Sequence, residues 1–82
     1  MPASHASDEE FGLAVQRAFG RALREVRKSQ GFSQERLAFA AGLHPSYVAQ
    51  VERGERNISL RNIWRLADAL RIDTSELMRR PM

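Results

Sequence analysis

His44, Ser46, Tyr47 and Gln50 share one short segment, HPSYVAQVER, in which Val48 and Val51 are the apolar partners. On a helix the two valines form an i, i+3 inner edge, and the four polar residues face away from the body. Gln50 is suited to reading a base, because a glutamine amide can pair bidentately with N6 and N7 of adenine. Ser46, at the helix tip, can donate to a base or a phosphate. The Tyr47 ring can pack beside a thymine methyl or the sugar backbone, or it can lie on the domain surface and brace the helix. His44 serves either as an N-cap or as a further base contact. This is the chemistry of recognition; catalysis finds no matching set of residues. His44 and Ser46 diverge from a helix start and form no nucleophile–base pair. His5 and His44, without cysteine or nearby carboxylates, build no metal centre. The chain also lacks a glycine-rich phosphate loop. We expect no enzymatic activity, no cofactor, no metal and no small-molecule ligand.

The elements that must position these residues follow from local pattern. Leu37 and Ala38, with Ala41 one turn later, form the inner face of a helix over Gln34–Ala41 that Ser33 caps. Gly42 supplies the positive φ of a sharp turn, and Leu43 plugs the corner. Pro45 suits the first position of the next helix, which needs no internal N–H bond; that helix runs to Arg53, before Gly54. The spacing is that of a helix-turn-helix, which holds its second helix clear of the body and able to enter a major groove.

Upstream, Ser7 and Glu10 read as a capping box. The helix after them puts Phe11, Val15, Phe19, Ala22, Leu23 and Val26 on one face and stops near Gln30, with Gly31 just beyond. Downstream, Ser59 caps a helix over Leu60–Leu70 with inner face Leu60, Ile63, Leu66, Ala67 and Leu70. Asp73 with Glu76 reads as another capping box, opening a short fifth helix that brings in Leu77. No segment keeps a strand period. The expectation is an all-α domain of five helices over residues 7–78, between a loose tail at 1–6 and a frayed C-terminal tail at 79–82.

Eighty-two residues allow one small domain with a modest core. There is no cysteine, hence no disulfide. The N-terminus lacks a basic start followed by an apolar run, and the longest apolar stretch, Leu37 to Leu43, is too short to span a bilayer. We expect a cytoplasmic protein without membrane contact. From Arg17 to Arg65 there are ten basic residues against four acidic ones, a local balance of +6, while Asp8, Glu9 and Glu10 lie outside that window. Such a surface attracts phosphate backbones and gives salt-sensitive binding, although ordinary solvated charge has the same composition. Gln34 stands at a helix N-terminus, where amide donors and the helix dipole favour a phosphate. Trp64, Leu70, Ile72, Leu77 and Met78 exceed the apolar surface that so small a monomer covers, which points to a dimer interface along the last two helices.

SQERLAFAAGLHPSYVAQVERGERNISL, followed by NIWRLADAL, resembles the Xre/Cro-type family of bacterial and phage transcriptional regulators, from about Phe19 to Leu77. The resemblance rests on Ser33-Gln34, Gly42, Glu52-Arg53-Gly54 and the repeat of Ile63, Leu66, Ala67 and Leu70. It implies a lambda-repressor-like domain that binds double-stranded DNA as a homodimer on a palindromic operator. It places Arg56 and Asn57, in the loop after the reading helix, on the sugar-phosphate backbone, with Arg53 and Arg61 as further backbone contacts beside Gln34. It also implies a structural pair, Arg27 with Glu52, that holds the reading helix against the body. Arg24 is open between that role and phosphate contact. GLHPSYVAQVERGERNISL further resembles the controller proteins of restriction–modification systems, except that Pro45 stands where relatives often carry a polar or basic residue. The alternative is the antitoxin of a toxin–antitoxin pair, in which a second surface would bind a protein.

Overall fold

Each helix begins where the chain supplies a side-chain acceptor for the first unpaired N–H groups. In the computed structural model, which describes residues 7–81, α1 runs Asp8–Ser29, α2 Gln34–Ala41, α3 Pro45–Glu52 and α4 Leu60–Leu70. Ser7 and Glu10 make the expected reciprocal capping box, with Ser7 Oγ accepting from the Glu10 N–H at 3.1 Å and Glu10 Oε1 from the Ser7 N–H at 2.9 Å. Ser33 and Ser59 cap α2 and α4 through the N–H groups of Arg36 and Asn62. The expected tail at residues 1–6 and Met82 lie outside the described residues.

All four helices close the same way. A residue in the left-handed region follows the last turn, and paired 6→1 and 5→2 backbone bonds satisfy the free carbonyls. After α2 this residue is Gly42, with Leu43 N bonded to Ala38 O at 2.9 Å and Gly42 N to Phe39 O at 3.2 Å. After α4 it is Arg71, at φ 57°, the one non-glycine residue at positive φ among those described. An L side chain there costs about 1–2 kcal/mol. Arg71→Gly is therefore expected to raise the melting temperature by a few degrees, a change read directly from a thermal unfolding curve.

The core is one cluster. Phe19 and Leu23 of α1 meet Leu37, Ala38 and Ala41 of α2, Val48 and Val51 of α3, and Ile63, Leu66, Ala67 and Leu70 of α4, with Leu77 closing the end. The chain beyond α4 is not a fifth helix. It is a single 3-10 turn, Thr74–Glu76, and Asp73 makes no side-chain cap bond. Three residues separate Asp73 from Leu77, and Leu77 is fully buried, so the turn closes on its anchor before an α-helical ladder can build. Arg79, expected to fray, bonds instead to Glu25 on α1.

Leu70 and Leu77, expected at a dimer surface, are core residues at 1% and 0% exposure. Both belong to the stripe that α4 and its extension turn toward α2 and α1. Phe11, Val15 and Leu60 depart in the opposite sense, at 58%, 37% and 72% exposure. The 22 residues of α1 span about 33 Å, while its partners are 8 to 11 residues long. Among the described residues, no other helix extends far enough to cover the first turns of α1. Leu60, the first residue of α4, sits at the end of its stripe, beyond the edge of the core.

Candidate nucleic-acid interface

Helix α3 is only eight residues long, too short to be stable alone, so its position depends on what grips it. Its inner valines, Val48 and Val51, are buried, and its C-terminal end is held by a buried carboxylate. Glu52 accepts from Arg27 Nε at 2.5 Å, Arg27 Nη2 at 3.0 Å and Gln34 Nε2 at 2.9 Å. Arg27 Nη1 also donates to the Phe32 carbonyl at 2.8 Å. The two charged side chains are 10% and 2% exposed. One carboxylate thus ties α1, α2 and α3 together. Gln34, expected at a phosphate, donates one N–H of its side-chain amide to this knot, which turns the side chain toward Glu52.

Two further grips had no place in the sequence reading. Gly20 of α1 lies directly under the last turn of α3, where a Cβ would stand 2.5 Å from Val51 O and 2.6 Å from Glu52 O. Its signal is visible in retrospect: a glycine inside a helix weakens that helix and marks a close backbone approach. Gln16 Nε2 donates to the Gly54 carbonyl at 2.9 Å, pinning the start of the loop after α3. The turn before α3 is braced from α4, where Arg65 Nη1 reaches the Gly42 carbonyl at 3.3 Å.

On the outward side, His44 acts as the N-cap of α3. Its Nδ1 accepts the Ser46 N–H at 3.1 Å and lies 2.8 Å from the Ser46 hydroxyl, so the two residues form one capping unit at the exposed tip. Tyr47 is half-buried, and its hydroxyl accepts from Asn62 Nδ2 of α4 at 3.1 Å. Arg56 lies over the Tyr47 ring, 5.1 Å from the centroid, and its Nε donates to Gln50 Oε1 at 2.8 Å. Tyr47, Gln50, Arg56 and Asn62 therefore form a connected polar surface spanning α3, the following loop and α4.

Arg53 is engaged with exposed Glu55 at 2.9 Å and 3.2 Å. The hydrogen bond from Arg53 holds the Glu55 carboxyl below its ordinary range, and the same bond raises Arg53. Asn57 and Arg61 are exposed. Trp64 and Met78 are 60% and 55% exposed, and Ile72 is half-buried. Among the described residues no group of acidic, histidine or cysteine side chains could hold a metal ion, and no helix is long and apolar enough to cross a membrane.

This architecture has close counterparts. A helix-turn-helix family model matches residues 23–77. The control protein C.BamHI of Bacillus amyloliquefaciens is 43% identical over 61 residues, which cover 73% of this chain and 75% of that protein. The crystal structure of the restriction-modification controller protein C.AhdI from Aeromonas hydrophila matches with a TM-score of 0.75 and 56% identity, covering 76% of this chain and 94% of that one. The hypothetical transcription factor NHTF from Neisseria matches with a TM-score of 0.78 and 33% identity, over 99% of this chain and 88% of its own.

Proposed function

The chain belongs to the helix-turn-helix family of DNA-binding transcriptional regulators, and from that premise we propose that it is a restriction–modification controller acting as a homodimer on an operator with imperfect two-fold symmetry. The observation that carries this reading is the outward polar face of α3, held away from the core by the Arg27–Glu52–Gln34 knot. Two such helices, related by a dyad, would enter successive major grooves about one helical turn apart. Gln50 and Ser46 would meet base edges, with Tyr47, tied to Asn62 and stacked under Arg56, bracing the face beside them. His44 would act there through its cap on Ser46. Asn57, Arg53, Arg61 and the Gln34 N–H would lie along the phosphates, setting affinity and salt dependence more than sequence choice, with Arg56 between them and Gln50.

The dimer face would use Trp64, Ile72 and Met78, since Leu70 and Leu77 are consumed by the core. The protein would work in the cytoplasm, with occupancy controlled by its own concentration. Selection from random DNA is the test. It is expected to return a palindrome, and Gln50→Ala to relax preference at one position per half-site, by about 1–3 kcal/mol. Sedimentation should show a dimer at micromolar concentration. A monomer under those conditions, or no enriched sequence, would remove the proposal.

A further inference from the structure

Gln50 and Arg56 lie on different elements, the reading helix and the loop after it, yet they are one hydrogen-bonded unit. An arginine side chain carries donors only. The glutamine oxygen must therefore be the end that faces Arg56, and the NH2 group is the end left for an external partner. The arrangement is buttressed on both sides, because the guanidinium is stacked over Tyr47 and Tyr47 is tied to Asn62.

This changes what Gln50 can read. Bidentate recognition of adenine needs both ends of the amide, the oxygen to accept from N6 and the NH2 to donate to N7. Arg56 takes one of the two lone pairs of that oxygen and sets its own N–H groups beside the other, so the pair presents a donor-rich edge. Guanine offers two acceptors, O6 and N7, and matches a donor-rich edge. Adenine offers N7 alone, and cytosine presents only its N4 donor. The free N–H groups on the outer nitrogens of Arg56 add donors beside the same site. We infer that Arg56 is a specificity-determining residue, which turns Gln50 from an adenine reader into a guanine reader. The inference rests on the DNA-reading role proposed above. A plain phosphate clamp at Arg56 would alter affinity for all sequences equally.

The experiment uses the full chain. Wild type, Gln50→Ala, Arg56→Ala and Arg61→Ala are each selected against random DNA, and affinities are then measured at fixed salt on operators carrying guanine or adenine at the Gln50-dependent position. That position is defined as the one whose preference Gln50→Ala abolishes. Wild type is expected to favour guanine there. Arg56→Ala frees the glutamine oxygen and should move the guanine-to-adenine ratio about tenfold toward adenine. Arg61→Ala removes the same charge from another exposed site and should leave that ratio unchanged while weakening binding overall. Circular dichroism confirms that the three variants fold, as expected for the exposed Arg56 and Arg61 and the half-buried Gln50. A wild-type preference for adenine, or a ratio unmoved by Arg56→Ala, overturns the inference while leaving operator binding in place. Failure of wild type to enrich any sequence overturns the DNA-reading role itself.

Discussion

Arg27→Ala is expected to destabilise the fold by about 3–5 kcal/mol, lowering the melting temperature by roughly 12 °C or more. Burial decides the size of this effect. An exposed pair is worth about 0–1 kcal/mol, but the Glu52 side chain is 2% exposed and would lose two of its three donors at once. Truncation strands a desolvated carboxylate at the junction of three helices, with Gln34 alone to satisfy it. The loss should appear in thermal and urea unfolding monitored by circular dichroism. Replacing both partners with apolar residues, Arg27→Met with Glu52→Leu, is expected to cost less than the single truncation, because no charge then remains buried. A loss below 1 kcal/mol for Arg27→Ala would show that the pair behaves as a solvated one.

Gly20→Ala should have the second large effect, a loss of about 3 kcal/mol together with weakened DNA binding by the fraction that stays folded. The new methyl would meet Val51 O and Glu52 O at 2.5 Å and 2.6 Å. Both are backbone atoms and cannot swing aside as a flexible side chain would. The strain is relieved only if α3 moves away from α1, and that displaces the outer face of α3 and loosens the Glu52 knot in the same step. Gly12→Ala is the matched control, since nothing lies within 4 Å of its added Cβ. That change should stabilise the helix by about 1 kcal/mol through propensity alone. Equal behaviour of the two alanine variants in a melt would mean that the α1–α3 approach is looser than the structure has it.

The helix boundaries were legible in the sequence because caps act over a few residues. Ser7, Ser33 and Ser59 start their helices where their side chains can reach an N–H three positions on. Gly42 ends α2 for a backbone reason equally local. The ranges of α2 and α4 match the expected ones for that reason. The fifth helix failed on the same logic. Asp73 and Glu76 have the spacing of a capping box, but the pattern is silent on Leu77 being drawn into the core one residue later.

Periodicity identifies an apolar stripe without saying what covers it. Leu70 and Leu77 read equally well as core or as dimer surface, and Phe11 and Leu60 as inward or exposed. Only the unequal lengths of the packed helices separate these cases. Side-chain partnerships are a further step removed. Gln34 meets Glu52 across 18 positions, Arg27 meets Glu52 across 25, and Gln16 meets Gly54 across 38.

The sequence alone therefore determined the helix-turn-helix and its caps, because each depends on spacings within one or two helical turns. The tertiary structure decided the rest: which leucines fill the core, why Gly20 has no side chain, and which end of Gln50 is left free. Those outcomes depend on how the helices cross and how closely they approach, and no local pattern encodes either.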